Sequence, residues 1–304
     1  MQILKKNIKM QIPNNFGGLE KAFCRYDKSK VVILPVPYDA TRKWLVGDKW
    51  KKANVNNGPT AIITASQNME LYDIELDKTI AECGIHTLNP IKVSKDPETM
   101  IQIIKKETLR HIQNNKFLVM LGGEHSVSYG YYLGLSEKYP NVSVLQIDAH
   151  ADLRDSFDGT KYSHASIMAR IREIAKNVVQ LGIRSISDEE AELIKNKKYD
   201  IFYAKDIYDN TNWFEKAIGK IDKNVYITID VDGFDPSVIP HTGTPEPGGL
   251  DWYTVIKFLK KVFAQKNVVG FDVVELVPNT YSRASDYTIA KLVYKLIGYK
   301  FFLK

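Results

Sequence analysis

The sequence predicts a three-layer α/β/α protein with a mostly parallel central sheet. Short runs rich in Val, Ile, Leu and Phe alternate with segments of helical spacing along the chain. That is the pattern of strand–helix–strand units, which place helices on both faces of a parallel sheet. The runs are nearly continuous in apolar residues, as expected of strands covered on both sides. Acidic and histidine side chains gather just beyond several runs, where open α/β sheets bind ligands.

The elements follow in chain order. The first strand is read at 31–37, and a helix starts near Ala61. A helix at 100–114 places Ile101, Ile104 and Ile112 near one face. Strands follow at 117–121 and 142–147. The helix at 164–177 does the same with Met168, Ile171 and Ile174, and a strand at 178–183 comes after it. Ser187 with Glu190 reads as a capping box ahead of Leu193 and Ile194. Strands at 201–204 and 225–229, a helix at 252–265, a strand at 268–274 and a helix at 284–299 complete the series. Residues 43–57 (KWLVGDKWKKANVNN) are polar, basic and rich in asparagine. They read as a long loop, either a lid or binding element or mere surface decoration. With no internal repeat, low-complexity tract or linker, one domain is expected over 1–304, with a short N-terminal extension at 1–30.

Composition narrows the function. Hydrophobic residues make up 44% and charged residues 26%, which favours a packed core over disorder. The net charge of +6 comes mostly from scattered lysines. With no run of like charge and no nucleic-acid-binding motif, it reads as a solvated surface, and no nucleic-acid partner is expected. Cys24 and Cys83 form no Cys-x-x-Cys pair, so neither a zinc knuckle nor a disulfide framework is supported. The first residues carry no apolar signal core, and no apolar run reaches the roughly 18 residues of a membrane span. A cytoplasmic protein with no membrane partner is expected.

The chemistry sits at strand ends. In VLQIDAHAD, Asp148, His150 and Asp152 occupy alternate positions, so in an extended chain they point to one side. In YITIDVD, Asp230 and Asp232 do the same. In FLVMLGGEH, Gly122 and Gly123 permit a tight turn or a close backbone approach, and His125 follows. Singly, each has a plain reading: an aspartate after a strand caps a helix or forms a turn, and a lone histidine packs. The D-x-H-x-D run alters the balance, because clustered carboxylates are costly unless cations neutralise them. Asp148, Asp152, Asp230 and Asp232 supply four negative charges, and His125 and His150 bind metal as neutral imidazoles. Two divalent cations would balance the set. Its oxygen-rich chemistry suits Mn²⁺ better than Zn²⁺, with nickel, cobalt and iron as further fits.

The ordered motifs GGEHS (122–126), DAHAD (148–152), YSHAS (162–166), DVDGFDPS (230–237), TGTPEPGG (242–249) and DVVEL (272–276) make the chain resemble the ureohydrolase family, which contains arginase and agmatinase. The resemblance runs from about Val31 to about Leu296. It implies the arginase-like fold and two Mn²⁺ per subunit. His125, Asp148, Asp152 and Asp230 would hold one ion, and Asp148, His150, Asp230 and Asp232 the other. A water shared by two such cations loses a proton near neutral pH, and a nucleophile held against the guanidinium carbon avoids much of the entropic barrier. Asp152 would accept that proton, His164 would shuttle protons, and Glu275 would pair with the guanidinium. His164 also fits the start of the next helix. Thr244 would line the pocket or serve a turn. A homo-oligomer, trimer or hexamer, is implied as well.

TGTPEPGG, YSHAS and ASQNMELYD (65–73) look more like agmatinases than arginases. That implies agmatine as substrate, with putrescine and urea as products and polyamine synthesis as the setting. The loop at 153–161 carries Asp155 and Asp158, and Asp158 would hold the substrate's far amine unless it caps the turn before Gly159. Two departures stand out: the long segment at 43–57, and Glu124 where many relatives have aspartate. The alternatives are a guanidinobutyrase, an arginase, a formiminoglutamase, or a catalytically silent member that serves as a binding subunit.

Overall fold

A computed structural model describes residues 12–41, 54–210 and 212–303. Most of the segment at 43–57 lies outside the described residues, as does the start of the N-terminal extension. Among the described residues, the strands are β1 (Val31–Val36), β2 (Tyr72–Asp73), β3 (Lys78–Thr79), β4 (Ile85–Thr87), β5 (Phe117–Gly122), β6 (Val142–Ile147), β7 (Val178–Ile183), β8 (Asp200–Tyr203), β9 (Asn224–Asp230) and β10 (Asn267–Val274). The helices are α1 (Lys21–Cys24), α2 (Gly58–Ser66), α3 (Pro97–Gln113), α4 (Val127–Lys138), α5 (Ile167–Arg172), α6 (Asp188–Lys197), α7 (Ala204–Asp209), α8 (Trp213–Gly219), α9 (Trp252–Gln265) and α10 (Ala284–Phe302).

Eight strands form one sheet in the order β4-β1-β5-β10-β9-β6-β7-β8. Every pairing in it is parallel. β2 and β3 form a separate antiparallel ladder. The alternation of side chains sends Val31 and Ile33 to one face, with α2, α8, α9 and α10. It sends Val32, Leu34 and Val36 to the other, with α3, α4 and α5. This is the expected three-layer α/β/α arrangement, with both strand faces buried. The expected N-terminal extension contributes to it, since Phe16 and Leu19 are buried against the first face.

Local chemistry explains the helix ends. Asp96 caps α3 by accepting from Thr99 N, with Pro97 in its first turn. Ser187 and Glu190 form the expected capping box on α6. Asp251 caps α9. Each cap satisfies backbone donors that the helix start leaves open.

Two elements differ from expectation. The helix expected over 164–177 is a 3₁₀ turn (His164–Ser166) followed by the short α5. Met168 and Ile171 are buried, but Ile174 lies past the helix end and is 47% exposed. The apolar spacing at Ile174 therefore does not belong to the same helical face. Helix α4 carries no strong apolar stripe because it is buried widely and packs through glycines. A Cβ at Gly130 would meet the Ile101 carbonyl oxygen at 2.7 Å, and one at Gly134 would meet Thr108 Cβ at 2.6 Å. The missing side chains let α4 lie close against α3. Among the described residues no helix is long and apolar enough to cross a membrane.

The sheet order decides where chemistry collects. β10 and β9 lie between β5 and β6. Four strand ends from distant parts of the sequence thus meet at the carboxyl edge of the sheet, where such folds bind ligands.

Candidate metal centre

β5 runs into Gly123, where a Cβ would lie 2.0 Å from the Tyr38 carbonyl oxygen. Only glycine allows that approach, and it brings His125 into the centre at 1% exposure. After β6, His150 forms a parallel bridge to Ser185, which carries Asp148 and His150 on past the strand, whereas Asp152 leaves the extended path at a positive φ. Asp230 is the last residue of β9. Asp232 is not in extended chain as expected, but in a 3₁₀ turn (Val231–Gly233).

Backbone amides aim the carboxylates. Asp148 Oδ1 accepts from His150 N at 2.6 Å, Asp230 Oδ1 from Asp232 N at 2.9 Å, and Asp232 Oδ1 from Ala149 N at 3.0 Å. The Oδ2 atoms, and Asp148 Oδ1 as well, face the imidazoles. His125 Nδ1 lies 3.1 Å from Asp148 Oδ2, 3.1 Å from Asp152 Oδ2 and 3.4 Å from Asp230 Oδ2. His150 Nδ1 lies 3.0 Å from Asp232 Oδ2 and 3.7 Å from Asp148 Oδ1. Two groups result: His125, Asp148 and Asp230, and Asp148, His150 and Asp232, the ligand atoms of each lying within 4.8 Å of one another. Asp148 belongs to both and turns one oxygen to each imidazole.

This donor set fits a pair of divalent cations. His125 Nδ1 is buried and makes no hydrogen bond of acceptable geometry, although three carboxylate oxygens surround it. Its other nitrogen, Nε2, lies 2.9 Å from Thr228 Oγ1, which donates at 2.7 Å to Asp272 Oδ1. The threonine proton is thereby committed, so Nε2 is the N–H donor and Nδ1 carries the lone pair of a metal ligand. Burial, reinforced by the charges of neighbouring carboxylates, pushes Asp152, Asp230 and Asp232 above the usual carboxylate range. Without cations such a cluster must hold protons instead. Asp152 and Glu275 also adopt left-handed backbone, at φ 52° and 66°, a conformation unfavourable to a glutamate and frequent at functional sites.

The Arginase family model matches residues 29–298 of this chain. The chain belongs to the arginase family. It is a ureohydrolase acting on a guanidino compound. It is 38% identical to an N(1)-aminopropylagmatine ureohydrolase of Synechocystis sp., over 95% of this chain and 97% of that protein. It is 33% identical to an agmatinase of Pyrococcus horikoshii, over 88% of this chain and 90% of that one. The crystal structure of an agmatine ureohydrolase of Thermoplasma volcanium superposes with a TM-score of 0.84 at 28% identity, covering 96% of this chain and 95% of that one.

In this arginase-family hydrolase a cavity of ≈ 270 Å³ opens over the cluster. His164, Thr244 and Glu275 line it together with His125, His150, Asp152, Asp230 and Asp232, while Asp148 is fully buried. Glu275 Oε1 accepts from His125 N at 2.8 Å. Asp158 is not among the lining residues. It is exposed, at φ 50° in the turn closed by Phe157 and Thr160, the turn-forming alternative raised for it. Asp155 pairs with Arg170 at 2.8 Å.

Arg154, Phe157, Ser187 and Glu190 are among the lining residues that sequence reasoning does not assign to the site. Arg154 lies over the Phe157 ring at 5.2 Å, and that ring meets His164 edge-on at 5.5 Å. Their adjacency to DAHAD was the available signal. Spacing along the chain identifies Ser187 and Glu190 only as a cap. Glu190 closes the capping box, accepts from Leu153 N at 2.8 Å, and also lines the cavity. One carboxylate fills all three roles, and only the first is local enough to read from spacing.

Proposed function

We propose that the protein releases urea from an agmatine-type guanidine with two Mn²⁺ bound by His125, Asp148, His150, Asp152, Asp230 and Asp232. The observation that carries this reading is the convergence of both ligand groups and Glu275 on one cavity. When bound, the two cations supply Lewis acidity and an activated water as nucleophile. Glu275 pairs with the guanidinium and orients its carbon toward the cluster. Asp152 accepts the proton released by the nucleophile. The tetrahedral intermediate must expel its amine protonated, and His164 on the cavity wall delivers that proton. Complete assembly of the ligand set speaks against a silent family member.

Two substrates belong to this class. Agmatine would give putrescine and urea. N(1)-aminopropylagmatine, the same guanidine with a longer amine tail, would give a linear triamine and urea. Likeness at 38% identity to ureohydrolases named for the second compound favours it. Glu190, a carboxylate in the wall apart from the metal ligands, suits a cationic tail. In either case the setting is polyamine synthesis. A cytoplasmic location and a trimeric or hexameric assembly belong to the same reading. The test is urea release from agmatine, N(1)-aminopropylagmatine, arginine and 4-guanidinobutyrate by Mn²⁺-loaded protein. Highest kcat/KM on one of the first two supports the reading. Preference for arginine or 4-guanidinobutyrate, or no urea from any of them, overturns it.

A further inference from the structure

Glu124 is fully buried and is not a metal-facing carboxylate. Its Oε2 accepts from Ala40 N at 3.1 Å and Thr41 N at 2.8 Å. Its Oε1 accepts from Thr41 Oγ1 at 2.8 Å and Ser126 Oγ at 2.6 Å. Thr41, 1% exposed, in turn meets His164 twice. His164 N donates to Thr41 Oγ1 at 3.2 Å, and His164 Nδ1 lies 3.2 Å from the same oxygen.

A hydroxyl has one proton and two lone pairs. The proton of Thr41 goes to the carboxylate, which is nearer and receives four donors. The backbone N–H of His164 takes one lone pair. The second lone pair can be satisfied only by an N–H at Nδ1. We propose that Thr41, held by Glu124, is a positioning residue that fixes His164 in its Nδ1–H tautomer and leaves Nε2 as the proton acceptor. This rests on the proton-shuttle role of His164 in the proposed function. It also accounts for Glu124. Next to His125 in the chain, this carboxylate acts through Thr41 on His164 and sets the state of the proton carrier in the cavity lining.

The physical consequence is a choice between two imidazoles of equal charge. With Nε2 unprotonated, His164 can take a proton there and return it to the departing amine. With the tautomer reversed, the proton is already on Nε2 in the resting state and the ring must rotate or exchange before each turnover. General acid–base catalysis by a positioned side chain contributes about 10²–10⁴-fold, so loss of the correct tautomer should remove part of that factor.

The test combines a direct and a kinetic readout on the full chain. Long-range ¹⁵N–¹H spectra of histidine-labelled protein, with the His164 signals assigned from H164N, report the tautomer without reference to turnover. The expected result is Nδ1–H in the wild type and in T41S, with a mixture or the Nε2–H form in T41V. With Mn²⁺ bound, T41V should lose about 10–100-fold in kcat at little change in KM, and T41S should restore most of it. An Nε2–H tautomer in the wild type overturns the proposal. So does a T41V protein whose tautomer and kcat match the wild type. Should T41V fail to fold, the wild-type and T41S spectra still decide. Full activity in H164N would remove the shuttle role itself, whereas the tautomer spectra judge the Thr41 contact independently.

Discussion

The carboxylate of Glu275 accepts a 2.8 Å hydrogen bond from the backbone N–H of His125. The residue expected to grip the guanidinium is thus anchored to the peptide of a candidate metal ligand. Glu275 N in turn donates to Gly123 O at 2.8 Å. The ends of β5 and β10 are locked together, so His125 and the Glu275 carboxylate are held in one rigid frame, as preorganised sites require.

Replacing Glu275 by Gln keeps an oxygen for the His125 N–H but removes the charge proposed to pair with the substrate. A charged hydrogen bond contributes about 1.5–3 kcal/mol. E275Q should therefore lose about 10–100-fold in kcat/KM for the preferred guanidine. Metal stoichiometry, measured by elemental analysis, should stay at the wild-type value.

Asp148 faces both imidazoles, whereas Asp232 faces only His150 among them. D148N should weaken both cation sites, and D232N mainly one. Each should lose more than the about 10–100-fold affinity seen when a supporting outer partner is removed. Mn²⁺ titration followed by calorimetry would show one remaining tight site in D232N and none in D148N. Equal losses in the two variants would contradict the sharing of Asp148.

The metal-free protein should respond to pH in the opposite sense to an ordinary acidic cluster. Burial opposes charging of His150, but hydrogen bonds to Asp148 and Asp232 outweigh it and raise the imidazole to about 12. A raised folded pKa gives stability that is complete below the unfolded value of about 6.5 and is lost as pH rises. The raised Asp152, Asp230 and Asp232 act in the same direction. The Tm of the chelator-treated protein should therefore fall from about pH 6.5 to 9. Saturating Mn²⁺ should remove that slope, because cations replace the protons. An increase in Tm with pH in the metal-free protein would refute this.

Away from the site, Glu75 joins α9, α10 and the β2–β3 ladder. It accepts from Lys260 at 2.8 Å and Tyr299 at 2.9 Å, and pairs with Lys295 at 2.6 Å. Burial opposes its ionisation, but these partners hold the carboxyl down at about 2. A depressed folded pKa gives stability present above the unfolded value and lost as pH falls toward the folded one. E75Q should lower Tm at pH 7 and flatten its decline between about pH 4.5 and 2. An unchanged acid profile would show that the three partners contribute nothing net.

Much of this was legible in the sequence because it is local. Strand runs such as Val31–Val36 are apolar on both faces, so their hydrophobicity identifies them without knowledge of their neighbours. The period of two in DAHAD puts Asp148, His150 and Asp152 on one side before any fold is known. Other features were hidden for equally physical reasons. β4 is short, and α4 packs through Gly130 and Gly134 rather than an apolar stripe. Ile174 satisfied helical spacing beyond the point where α5 ends.

By itself the sequence determined the three-layer class, the family, and the residue types that suit two cations, since each follows from local periodicity or from ordered motifs. Only the tertiary structure decided which atoms face one another. Placing β10 and β9 between β5 and β6 brings His125, Asp148 and Asp230 together across long separations in the chain. It also puts Thr41 between Glu124 and His164, and leaves Asp158 outside the cavity lining. Such relations depend on strand order and backbone path, which fix distances between residues that no spacing along the chain can encode.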